Sequence, residues 1–299
     1  MSGISPNQRG ILAITASMSA YTVNDALVKE IARHYPVGEV IFIRGVFTVL
    51  ILATVVFALR QTGAMRRAIS RPVVYRSLFD GISSACFVLA LVQMKLADIA
   101  AVLQAMPLIV SALAVVVYRE VVGWRGWTAI LVGFAGALFV VKPTPEAFNV
   151  WALFALGAAT SSALREVQTR RIDRSIPSTV VALFGSICIT LVGACFMPFE
   201  VWRMPAVPDV AVLAGAAVFV AMATYFMTIA FRGVDISVVA PFRYSYLLTA
   251  AIAGYIAFNE IPDLWSVLGA ALIVASGIYT LRRETLRRRA LAATAIPAA

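Results

Sequence analysis

The chain has 299 residues, 61% of them hydrophobic and 13% charged, with a net charge of +10 and a mean hydropathy of +0.90. A soluble domain is roughly 45–50% apolar and about 25% charged, so this composition excludes a water-soluble globular protein and points to an all-α integral membrane protein. The positive charge lies in short clusters between apolar runs, as in 60–76 and 281–289, which is the border pattern of spanning helices and excludes nucleic acid as a partner.

About 20 apolar residues cross a bilayer as a helix. Ten segments qualify: 10–31, 38–59, 73–94, 98–118, 124–141, 150–169, 179–199, 209–231, 235–258 and 264–281. The first follows Arg9 as a signal peptide's apolar region would, but it runs on with no clear cleavage site and reads as a retained helix. Tyr21, Asn24, Asp25 and Lys29 sit on it at spacings of three and four, so they share a broad polar face. Asp25 is placed either to pair with Lys29 one turn on or to line a cavity. The second span carries Glu39 and Arg44, and Arg44 is expected to pair with Asp80 or Glu39. The third holds Asp80 one turn after Arg76, an i,i+4 ion pair, followed by Gly81, which would let another helix approach closely.

The fourth span carries Gln104 and then Pro107, which removes a backbone donor and can kink the helix. Arg165 and Glu166 stand near the end of the sixth, where Arg165 is expected to snorkel to the headgroups. The ninth holds Pro241, Arg243, Tyr244 and Tyr246. Arg243 lies eight residues past Asp235, about 12 Å along a helix and close to the midplane of a core roughly 30 Å thick. An arginine at that depth either binds a carboxylate of the substrate or is tied to Asp80, Asp25 or Glu39.

With the N-terminus inside, seventeen Lys and Arg residues fall in inside segments and five outside, which predicts cytoplasmic N- and C-termini. The halves also align at an offset of about 141, with Pro36 over Pro177, Asp98 over Asp235, Glu120 over Glu260 and Gly136 over Gly277. Five spans per repeat is an odd number, so the second repeat is inverted. Residues 1–145 form the first repeat, 146–284 the second, and 285–299 a basic then Ala-rich tail. Inverted repeats and two proline-broken helices at matching places, Pro107 and Pro241, point to alternating-access transport with the site between the halves.

Cys86, Cys188 and Cys195 lie in apolar runs without metal-ligand spacing, and His34 is the sole histidine, so a zinc site and a Ser–His–Asp triad are nearly excluded. No nucleotide-binding GxxxxGK[ST] motif occurs. The expectation is a non-enzyme without cofactor or metal, whose partners are the lipid bilayer and a small-molecule substrate. A non-transport membrane enzyme or scaffold is the alternative, and its expected cluster of catalytic groups at one membrane face is not visible.

The residues "VVVYREVVGWRGWTAILVGFAG" (115–136), their counterpart "YIAFNEIPDLWSVLGAALIVASG" (255–277), "LVQMKLADIAAVLQAMPLIVSALAV" (91–115) and "APFRYSYLL" (240–248) resemble the drug/metabolite transporter superfamily, in its EamA-type branch. The resemblance spans about 10–282. It implies a multi-pass inner-membrane protein with a cavity lined by helices one to four and six to nine. Helices five and ten would be peripheral and open to a homodimer. It also matches the arginine of "FIR" (42–44) to a frequent family feature. Members of the family include amino-acid and metabolite exporters and uptake systems for compounds such as S-adenosylmethionine. The resemblance makes amino-acid export the leading expectation, with uptake of S-adenosylmethionine or a nucleoside-like compound as the alternative.

Overall fold

The structure, a computed structural model, describes residues 6–106, 108–110, 112–113, 124–141, 150–169, 171–173, 175–230 and 239–294. Its longer helices are α1 (Pro6–Ala32), α2 (Val37–Ala58), α4 (Arg71–Gln93), α6 (Trp124–Val141), α7 (Val150–Thr169), α8 (Ser178–Cys195), α9 (Val207–Ala230), α10 (Ser245–Phe258) and α11 (Leu264–Thr294). A single turn, α3 (Met65–Ala68), precedes α4, and α5 (Leu96–Leu103) follows it. No strand occurs among the described residues. Among the described residues five helices, α1, α2, α4, α8 and α9, are long and apolar enough to cross a membrane, and shorter apolar helices include 127–140 and 264–280.

A helix lies under each predicted segment. Two boundaries differ from expectation. The last helix does not stop at 281 but continues to Thr294 through the basic run. Within the 235–258 segment Ala240–Tyr244 forms a 3₁₀ turn ahead of the α-helix Ser245–Phe258, and 235–238 lie outside the described residues. Pro241 at the start of that turn has no N–H to give the preceding turn. The first half breaks at the matching place: α5 ends at Leu103, and the Gln104 N–H is shared between the carbonyls of Ala100 and Ala101 at 3.1 Å each. Pro107 itself lies outside the described residues, but the break falls just before it, where a proline disfavours helical backbone.

The packing follows a twofold pattern. The first helix of one half packs along the third of the other, as α1 on α9 and α7 on α4. The second helices meet each other (α2 on α8), as do the fourth (α5 on α10) and the fifth (α6 on α11). Between apolar helices no hydrophobic gain drives association, so close backbone approach and interhelical hydroxyl bonds hold the seams. Ser17 of α1 donates to the Ala223 carbonyl of α9 at 2.7 Å, and Ser83 of α4 donates to the Ala158 carbonyl of α7 at 3.0 Å. In the α6–α11 seam a Cβ on Gly136 would sit 2.7 Å from the Gly269 carbonyl oxygen, and one on Gly269 would sit 2.5 Å from that of Gly136.

One end of the bundle is closed by side chains that reach back from the 196–206 connection. The Glu200 carboxylate accepts the Gly38 N–H at 3.0 Å, satisfying an orphan donor at the start of α2, where the N-cap Pro36 makes no side-chain bond. Tyr35 donates to Asp209 at 2.7 Å, and that bond to a carboxylate holds the phenol above its ordinary pKa.

Gly136→Val is expected to force α6 and α11 apart, costing about 1–3 kcal/mol as overpacking does and lowering Tm in detergent. Gly63→Val, where nothing lies within 4 Å, is the control expected to leave Tm unchanged.

Candidate functional site

The polar residues of α1 do not pair along their own helix. Asp25, only 5% exposed, accepts the Tyr246 hydroxyl of α10 at 2.6 Å and the Asn24 amide at 2.8 Å. Asn24 in turn accepts from the Arg44 guanidinium of α2 at 3.3 Å, and Arg44 donates its other end to Ser84 of α4 at 3.3 Å. The four helices α1, α2, α4 and α10 therefore converge on one buried chain of polar groups. Tyr21 lies one turn before Asp25, its hydroxyl 3.5 Å from that of Thr224 on α9.

Two expected pairings and one expected snorkel are replaced by other contacts. Lys29 is 1% exposed and pairs not with Asp25 but with Glu260, at 2.5 Å, and with the Met94 carbonyl at 2.6 Å. Glu260 also accepts the Leu96 N–H at 2.8 Å, so one carboxylate neutralises a buried ammonium and caps α5. Lys95 adds a bond to the Ile261 carbonyl at 2.7 Å. Arg44 pairs with neither Asp80 nor Glu39. Glu39 instead accepts the Arg203 N–H at 3.1 Å at the bundle end. Arg165 does not snorkel but reaches Asp80 at 2.9 Å, while the local Arg76–Asp80 pair forms as expected at 3.4 Å. Physically, a charge in an apolar bundle takes the partner of opposite sign that another helix brings within reach, whatever its sequence distance.

Arg243 is the exception. It is half-buried in the 3₁₀ turn, and its backbone carbonyl accepts the Gln104 amide at 3.1 Å, so the two helix breaks are bonded to each other. Its guanidinium makes no hydrogen bond or ion pair with any described residue, so the expected ties to Asp80, Asp25 or Glu39 do not form. Tyr246, three residues on, belongs to the Asp25 network. Tyr244 does not: its ring tip lies where a Cβ on Gly277 of α11 would stand, and its hydroxyl is buried without a partner among the described residues. Glu260, absent from the predicted site, was marked in sequence only by its alignment with Glu120.

The EamA-like transporter family matches the chain twice, over residues 8–142 and 149–282. The S-adenosylmethionine uptake transporter of Rickettsia prowazekii is 28% identical over 92% of this chain and 93% of its own. The pseudopaline exporter CntI of Pseudomonas aeruginosa is 27% identical over 92% of this chain and 96% of its own. The riboflavin transporter of Vibrio cholerae is 33% identical over 57% of each chain. A solved crystal structure aligns with a TM-score of 0.63 at 18% identity, over 93% of this chain and 98% of its own, and so shares the fold.

Lys29→Met leaves Glu260 without its cation and is expected to destabilise by about 3–5 kcal/mol, the cost of breaking a buried pair. Adding Glu260→Gln, which keeps an acceptor for the Leu96 N–H, should restore more than half of that loss. Thermal unfolding of both variants in detergent reads the coupling.

Proposed function

Because this chain belongs to the EamA-like transporter family, we propose that it carries a small organic metabolite with a free carboxylate across the membrane by alternating access between two inverted halves. It is a multi-pass protein of the inner membrane, and its relatives are transporters. On this reading ten helices span the bilayer, and both ends of the chain, the C-terminal one rich in arginine, are cytoplasmic. The paired faces of α6 and α11 are packed on each other, so a homodimer through them would use only their outward sides.

A single observation carries the choice of substrate: Arg243, beside Tyr246 on the broken helix, lacks a carboxylate among the described residues. A planar guanidinium with unused donors matches a ligand carboxylate bidentately. Tyr246 and Asp25 supply a hydroxyl and an anion on the same element pair, α10 and α1, which suits a zwitterion with an ammonium or sulfonium group near its carboxylate. S-adenosylmethionine has that chemistry, and the full-length likeness to its uptake transporters favours it over the free amino acids expected from sequence. Amino-acid export shares the recognition chemistry and is the second compound class to test. Direction follows the imposed gradient, and relatives of both directions occur.

Counterflow in proteoliposomes tests the reading. Preloaded S-adenosylmethionine should drive uptake of its radiolabelled form, and Arg243→Gln should lower the apparent affinity about 10- to 100-fold, as loss of a charge-assisted bond does. Absence of exchange with S-adenosylmethionine and with every amino acid would contradict it.

A further inference from the structure

Arg76 is poorly used by the network described above. Its side chain is 15% exposed, and its Nε is buried without a partner among the described residues. Its two bonds, to Asp80 at 3.4 Å and to the Val181 carbonyl at 3.5 Å, both stand at the long limit of a hydrogen bond. A guanidinium carries five N–H donors. Asp80 gives its other oxygen to Arg165 at the shorter distance of 2.9 Å, so one carboxylate is divided between two arginines and a positive charge is left over. Asp80 is also held from behind: a Cβ on Gly185 of α8 would come within 2.7 Å of its Oδ2.

Arg76 forms one wall of a cleft of about 320 Å³ where the end of α7 turns into α8. Thr169 and Ser178 add hydroxyls, and Ile172, Ile176 and Val181 form its apolar side. That volume is at the lower end of small-molecule sites, roughly 300–1,000 Å³. One lining carboxylate, Asp173, opposes an anion. It is exposed, and its oxygen is engaged by the Ser175 N–H at 2.8 Å, a bond that holds it below its usual pKa. Glu166 and Tyr21 act on the cluster only through Arg165 and Arg76 at longer range.

We propose that this cleft binds an anionic group, a carboxylate or a phosphate, which Arg76 receives and for which Asp80 is the internal competitor. The group comes either from a solute or from a lipid headgroup. Arg165 keeps Asp80 when Arg76 releases it, so the exchange leaves no carboxylate without a cation. Arg76 also links the cleft to the interior network along α4. Arg76, Asp80 and Ser84 follow one another at four-residue spacing on a single face of α4, and Ser84 is the acceptor of Arg44. An anion seated at Arg76 is therefore about two helical turns from Ser84, whose contact with Arg44 leads through Asn24 to Asp25. The inference stands on equilibrium binding and rests neither on transport nor on its direction.

The test is thermal unfolding of the purified chain in nanodiscs of phosphatidylcholine, titrated with succinate or inorganic phosphate at constant ionic strength, against nanodiscs containing phosphatidylglycerol. Wild-type Tm should rise with one of these anion sources. A rise with succinate or phosphate assigns a solute, and a rise only with phosphatidylglycerol assigns a headgroup. Arg76→Gln should weaken the response at least tenfold, and Asp80→Asn, which neutralises the competitor, should strengthen it. If Asp80→Asn does not fold, Arg76→Gln decides alone. No response to any source in the wild type, an equal response in Arg76→Gln, or a weaker one in a folded Asp80→Asn would overturn the proposal.

Discussion

A charge carried into an apolar bundle has to be met there, because lipid offers neither water nor counterions. In this chain the meeting partner comes from the other repeat. Lys29 of the first half meets Glu260 of the second, Asp80 meets Arg165, and Asp25 takes the hydroxyl of Tyr246. Gln104 of the first broken helix holds the backbone of Arg243 in the second. Glycine and serine seams let the helices approach, and these four contacts are among the polar ties between the halves. On the proposed reading they also place the groups that a substrate would touch.

Such contacts suit a machine that has to move. Two halves joined only by apolar packing would slide with little preference for any register. Two halves joined by a few polar bonds have discrete arrangements, since each bond is either made or exchanged for another. The Lys29–Glu260 knot binds α1, the turn after α10 and the start of α5 near one end of the bundle. The Asp80 cluster binds α4 and α7 at the cleft that lies against the turn from α7 into α8. The Asp25 network lies between them in the chain of contacts, with Arg243 in the adjoining turn. A pathway between the halves would pass one knot, the network and the other cluster in turn.

Much of the architecture was legible in the apolar runs. Their spacing located every described helix except the single turn α3, the half-to-half alignment foreshadowed the twofold packing, and Pro241 marked a 3₁₀ turn. The Arg76–Asp80 pair was legible because it is local. The other pairings were not. Asp25 and Lys29 are one turn apart and their pairing was one of two readings, yet Lys29 lies 231 positions from the carboxylate it meets. Sequence spacing reports which groups share a helical face, and only the packing of other helices reports which opposing group arrives there. Arg165 misled for the same reason, since Asp80 arrives from a helix of the other repeat. Glu260 was legible only as half of an aligned acidic pair. That Arg243 meets no described carboxylate could not be read from spacing at all.

Under the proposed function the Arg243 guanidinium receives the carboxylate of a ligand. A thermodynamic cycle measures this directly, by calorimetry of S-adenosylmethionine and its decarboxylated analogue binding to the wild type and to Arg243→Gln. Removing the carboxylate and removing the guanidinium should each weaken binding about 10- to 100-fold, and the two together should cost little more than either alone. Losses that simply add would contradict it, because they would mean that the two groups never meet.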